Sequence, residues 1–176
     1  SPCRQNVNRC AWLEDNKADF GPLVQHSLDD FLIFDLSAES SSLPGLDTLT
    51  DVDQFTTLLF DQMDDFQSKV GIGRYAEPRL LYLSDNYAKP EGDFPERRTI
   101  HLGLDLFLPA GNPISAPLEG QVHSFRNNAI DLDYGPTILL EHSSKGITFF
   151  SVFGRLSAES LDDLQLGSLI KKGQEC

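Results

Sequence analysis

The chain has 176 residues, 40% of them hydrophobic, which suffices for one globular domain with a substantial core or a domain with a small companion. Its formal net charge of −13 excludes ordinary nucleic-acid binding and attraction to anionic membranes, and no apolar run is long enough to span a bilayer. The charge is uneven: residues 1–66 carry 13 acidic and 3 basic side chains, whereas residues 67–176 carry 14 and 11, so two segments with different surroundings are expected.

The first stretch, 1–30, reads as polar and weakly helical, anchored by Ala11, Trp12 and Leu13. Ser1-Pro2 in place of an initiator Met leads to the expectation of an excised or processed piece of a longer chain, and no signal peptide is visible. Cys3, Cys10 and Cys176 do not form a secreted disulfide framework, and the spacing of Cys3 and Cys10 is not that of a zinc pair. They read as free, partly buried thiols, and His26 reads as a surface residue. The lack of any Asn-x-Ser/Thr site fits a cytoplasmic protein.

Phe31–Leu36 is an apolar run of buried-strand length, closed by a Ser-rich loop to Pro44-Gly45. Thr50-Asp51-Val52-Asp53 has the form of a capping box. Val52, Phe55, Leu58, Leu59, Met63 and Phe66 then recur at helical steps, predicting an amphipathic helix that ends near Gly71. Asp61, Asp64 and Asp65 fall on its solvated face. Arg79–Leu83 reads as a strand and Ser84–Arg98 as a long polar loop. The charges Arg74, Glu77, Arg79, Glu96, Arg97 and Arg98 around that loop read either as an ion-pair network shaping a cleft or as solvated side chains.

From Ile100 onward the chain becomes short strands, at 100–108, 113–116, 119–125, 136–142, 147–153 and 168–171, with turn glycines between them. The expected division is an acidic, helix-containing segment over 1–72 and a β domain over 73–176. Within the first of these strands, Leu102, Leu104 and Leu106 alternate with His101, Gly103 and Asp105, which predicts one apolar face and a His–Asp pair on the other. On a straight strand that pair lies roughly 13 Å apart. Both residues can reach one ion only if the chain bends, and Gly103 is the residue best able to bend it. The pair reads as two ligands of a divalent metal or as a structural hydrogen-bonded pair, and spacing alone leaves both open.

Other signatures fail. Gly71-Ile72-Gly73 lacks the setting of a nucleotide fingerprint, and Ser84-Asp85-Asn86 precedes Ser168–Lys171 in the wrong order for a β-lactamase. No Met flanks a hairpin Lys, as a biotinyl carrier requires, and the Ala-Pro element follows the histidine where a phosphotransferase carrier has it first.

The order His101-Leu102-Gly103-Leu104-Asp105, then Ala116-Pro117-Leu118-Glu119-Gly120-Gln121-Val122, then a strand ending in His142, then Gly167–Gln174 resembles lysostaphin-like (LytM-type) zinc peptidases of family M23 over residues 97–176. Gly73–Arg79, Glu96–Ile100 and Asp133–Pro136 further resemble the domain of this type found in bacterial fusions between a kinase-like domain and a class III aminotransferase. The resemblance implies a barrel-sandwich hybrid, a mainly β fold preceded by a smaller α-containing segment. It implies that His101 and Asp105 hold a zinc ion which polarises a peptide carbonyl and activates water for hydrolysis of cell-wall-type peptides. Two departures imply a degenerate or inactive site. The family's His-x-His strand does not occur here, and Phe153-Gly154-Arg155-Leu156-Ser157 places Arg155 where the family has a catalytic histidine. A guanidinium is neither a general base nor a ligand at neutral pH, although it can stabilise an oxyanion. His123 and His142 are the candidate substitute ligands, weighed against structural or surface roles. The alternative function is a non-catalytic module that binds a peptide or ligand, or holds covalently linked enzyme domains together.

Overall fold

The computed structural model describes residues 9–79, 99–128 and 134–176. It is mainly β: nine strands and three short α-helices among the described residues, with no closed barrel among them. The chain forms two compact units, His26–Ala110 and Ser1–Gln25 with Gly111–Cys176. The boundary expected after residue 72 falls inside a strand of the first of these.

In the unit 26–110, strand β1 (Phe31–Phe34) runs parallel to β2 (Val70–Gly73), and β2 pairs antiparallel with β5 (Asp105–Phe107). The run 31–36 is not buried throughout: Phe34 and Leu36 face the core, whereas Ile33 is exposed. Helix α2 (Leu46–Thr50) leads into helix α3 (Val52–Asp65), whose Leu59 and Met63 pack on Phe34 and Leu36. The cap of α3 lies one residue later than the sequence suggests. Asp51 accepts the Gln54 N–H at 3.0 Å, and Gln54 Nε2 donates back to the carboxylate at 2.7 Å. A glutamine at the third helical position can reach back, which Asp53 cannot do from its place.

The helix stops at Asp65 rather than near Gly71, and Val52 and Phe66 at its ends are exposed. Gly71 instead lies within β2, where a Cβ would stand 2.5 Å from the Phe34 ring and 3.1 Å from Met63 Sδ. It is the bare backbone on which the core closes, not a helix stop. Asp61, Asp64 and Asp65 are exposed, as a solvated helix face requires.

In the other unit, β6 (Gly120–Asn128), β7 (Gly135–Ser144), β8 (Ile147–Phe153) and β9 (Leu169–Ile170) form an antiparallel sheet in the order β8-β7-β6-β9. One face carries Val122, Ile138, Leu140 and Ile170, which with Ala116 form the core. The stretch 113–116 contributes one bridge, Ser115 to Glu175, rather than a strand. Helix α1 (Arg9–Asp15) presents Trp12 to Phe20 and Phe149, while Leu13 is exposed. The strand expected over 79–83 and the loop after it lie, past Arg79, outside the described residues, as does Cys3. No described helix is long and apolar enough to cross a membrane.

Candidate metal centre

The predicted strand 100–108 is two strands in two sheets. Strand β4 (Ile100–His101) pairs with β3 (Glu77–Pro78), which sets Glu77 directly opposite His101. The chain then bends through Leu102–Leu104 and enters β5, where Asp105 pairs with Gly73 of β2. The bend folds the two side chains together, and His101 Nε2 lies 3.3 Å from Asp105 Oδ1. Gly103 permits this by making room rather than by an unusual backbone: a Cβ there would stand 2.8 Å from His101 Nε2.

The expected apolar face of this stretch does not form. Leu102 is 72% exposed and Leu104 54%, while His101 and Asp105 turn inward. The alternation that puts leucines on a buried face holds only for one continuous strand, and the bend ends it.

What Asp105 meets inside is Arg79. Its side chain is 10% exposed. Its Nε donates to Glu77 Oε2 at 3.1 Å and its Nη1 to Asp105 Oδ2 at 2.5 Å. Glu77, with 3% of its side chain exposed, accepts the Leu36 N–H on its other oxygen at 3.0 Å. Gly73 lies beneath the network, and a Cβ there would stand 2.8 Å from Arg79 Nη2 and 2.9 Å from Asp105 Oδ2. The ion-pair reading of this charge cluster is thus realised at Glu77 and Arg79, and more loosely between Arg74 and Asp35 on the surface at 3.6 Å. Glu96, Arg97 and Arg98 lie outside the described residues.

Burial holds the His101 imidazole below its ordinary pKa, against the opposing pull of Asp105; Arg79 lowers it further and Glu77 raises it. The ring is neutral at pH 7, the form in which histidine ligates metal.

Whether the described residues fit a zinc ion turns on Arg79. Two unit charges 4 Å apart at an effective dielectric near 20 interact by about 4 kcal/mol, so a divalent ion on the carboxylate that Arg79 holds meets roughly twice that in repulsion. Among the described residues, no group of three His, Cys, Asp or Glu is gathered to hold a metal. The described residues as they stand do not fit a resident zinc.

The other candidates belong to the other unit. His142 is 1% exposed. Its Nδ1 lies 2.9 Å from the Glu119 carbonyl oxygen, which can only accept, so Nδ1 carries the proton. Its Nε2 then accepts from Ser151 Oγ at 2.7 Å. The ring stacks on Phe149 at 5.0 Å and over Gly120, where a Cβ would stand 2.7 Å from Nδ1. Both ring nitrogens are engaged, leaving none for a metal. His123 is the extra residue of a bulge between Val122 and Ser124; it is exposed and edge-on to Phe150 at 5.1 Å. Arg155 is exposed on the turn after β8, at φ +61, and its N–H donates to the Tyr134 carbonyl at 2.7 Å. His26 is half-buried in the unit 26–110.

Sequence reasoning named Arg79 and Glu77 as charges but did not join them to the His–Asp pair. A signal was present: Glu77-x-Arg79 has the period of two that places both side chains on one side of an extended chain. In comparisons with protein families, curated proteins and solved structures, nothing matches the chain.

Proposed function

We propose that the chain is a lysostaphin-like peptidase domain, on a barrel-sandwich hybrid frame, that no longer hydrolyses peptide bonds. The observation that carries this reading is the bend at Gly103, which brings His101 and Asp105 within 3.3 Å in the order the family uses for two zinc ligands. In a working member zinc would polarise the scissile carbonyl and activate water. Here the carboxylate that would hold the ion is engaged by Arg79, and Arg155 supplies no general base.

The test uses the full chain, zinc supplied in solution, a cell-wall-type peptide and mass spectrometry of the products. No cleavage is expected, with His101→Ala indistinguishable from the parent. Zinc-dependent cleavage that His101→Ala abolishes would establish a working peptidase and overturn the degeneracy. The ancestry has its own check. The His101 imidazole signals in NMR should move in Asp105→Asn, and unchanged signals would place the residues apart and remove the reading.

A second reading is a non-catalytic module that contacts a peptide or linked enzyme domains. It is favoured by Leu102 and Leu104, which stand exposed beside the buried polar cluster.

A further inference from the structure

The sheet β8-β7-β6-β9 ends on β8, a seven-residue strand with no further described strand on its outer side. Two observations fix which of its backbone groups face outward. The Val122 N–H donates to the Ser168 carbonyl on the β9 side at 2.9 Å, so Gln121 turns to β7 and bonds with its partner Glu141. The neighbours of Glu141 then turn to β8, where Leu140 bonds with Ser151 and His142 with Phe149. The hairpin turn agrees. Lys145 and Gly146, at φ +47 and +82, make a two-residue loop that closes on a bonded Ser144–Ile147 pair. Thr148, Phe150 and Val152 are left with their N–H and C=O groups directed away from the sheet. The side chains of the same three residues are exposed, Phe150 by 49% and Val152 by 59%.

We propose that this edge pairs with the same edge of a second copy of the chain, antiparallel about a two-fold axis at Phe150. Phe150 is the middle residue of Ile147–Phe153. A two-fold axis there sets Phe150 opposite Phe150 and Thr148 opposite Val152, the three residues whose backbone groups are free. Each such pair exchanges two hydrogen bonds, so one contact satisfies both edges and closes on itself. On the exposed face it joins an aromatic pair to two β-branched pairs. The devices that keep sheet edges apart are missing: β8 has no charge, no proline and no bulge. The flanking charges also suit a second copy. The register brings Arg155 of the second copy to the Lys145 end of the strand, where Asp19, 2.6 Å from Lys145, offers it an opposite charge. The acidity of the chain lies mostly in the other unit. Residues 26–110 carry 16 acidic and 6 basic side chains, a net of −10, whereas the unit that holds β8 carries 11 and 8, a net of −3. The pairing is independent of the metal-pair reading of His101 and Asp105.

The experiment is sedimentation velocity of the full chain at about 0.15 M salt, which screens the residual repulsion, across about 5–500 μM protein. The parent should pass from monomer to dimer within that range. Phe150→Lys and Phe150→Glu each set like charges opposite one another, and each should weaken the dimer by about 10-fold or more. An equimolar mixture of the two should recover it, because only the mixed pair sets opposite charges together. Cysteines read the register directly, since paired backbones stand about 5.5 Å apart, within reach of a disulfide. Under an added oxidant Phe150→Cys should cross-link to itself, mapped by peptide mass spectrometry. Thr148→Cys should cross-link only when mixed with Val152→Cys.

A parent that stays monomeric throughout overturns the proposal, whether or not the edge takes up an extended segment of another protein. A Phe150→Lys chain that dimerises as tightly as the parent overturns it too, because the contact then lies elsewhere. So does a Thr148→Cys chain that cross-links to itself as readily as Phe150→Cys, which would place the axis at another residue. Phe150 is half-exposed, so its charged variants should keep the melting transition of the parent. If they do not fold, the cysteine chains decide alone, and no link between the two Phe150→Cys positions overturns the pairing. None of these outcomes depends on zinc or on peptide cleavage, so they are read separately from the degenerate-peptidase reading.

Discussion

Two glycines beside the polar cluster look alike in sequence and act differently in space. At Gly103 the atoms a methyl would meet are the far end of the His101 ring, which can swing away. Gly103→Ala should therefore cost little stability, below about 1 kcal/mol, but should separate His101 from Asp105. The check is that the His101 imidazole signals become insensitive to Asp105→Asn. At Gly73 a methyl would meet Arg79 Nη2 and the Asp105 carboxylate, both held in the buried network. Gly73→Ala should cost about 1–3 kcal/mol in denaturant melts, the usual range for overpacking. A Gly103→Ala cost as large as that of Gly73→Ala would show the imidazole to be locked in place. Cys176 offers a further measurement at this scale. Burial, with a smaller push from Glu175, raises its thiol to about 11. Because the folded value lies above the ordinary 9.0, the thiol contributes stability that is whole below pH 9 and lost as the pH rises toward about 11. Alkylation of Cys176 at pH 8.5, followed by peptide mass spectrometry, should be markedly slower in the folded chain than in denaturant.

At the scale of the element, the helix α3 illustrates how a correct pattern can carry the wrong edges. Its apolar spacing is readable because period 3.6 survives in any context. Its ends are not, because two adjacent residues, Thr50 and Asp51, both have N-cap chemistry. The choice falls to Asp51 because Gln54 lies three residues on and reaches back to it. The backbone N–H of Gln54, and then its side chain, hold the Asp51 carboxyl below its ordinary pKa. A lowered carboxylate stabilises above its unfolded pKa and loses that contribution as pH falls through the folded one. Asp51→Ala should lower the melting temperature at pH 7, and the difference should close as the pH falls below 3.8 toward the lowered value. A difference constant across that range would mean that the carboxylate does not act as the cap. The strand 100–108 fails for a different reason. Its alternation is genuine, but the chain leaves one sheet at His101 and joins another at Asp105, and no local pattern reports which sheet a strand joins.

At the scale of the molecule, the described residues gather into two cores. One gathers Phe34, Leu36, Leu59 and Met63; the other gathers Ala116, Val122, Ile138, Leu140 and Ile170. Leu140→Ala and Leu59→Ala should each cost about 2–5 kcal/mol, as buried leucine truncations do. Hydrogen exchange should show Leu140→Ala loosening β7 while β2 stays protected, and Leu59→Ala doing the reverse. Loss of protection in both units from either substitution would show a single cooperative core.

The sequence by itself determined the elements whose signals are local. The strands near 119–125, 136–142 and 147–153 and the helix around Leu58 and Leu59 were legible, because periodicity, turn residues and short spacings act within a few residues. Only the tertiary structure decided what those elements meet. It placed Glu77 opposite His101, drew Arg79 between two carboxylates, and engaged both nitrogens of His142 with groups 9 and 23 residues away in sequence. Burial and the pairing of distant charges depend on which strands lie side by side, and a sequence does not state that order.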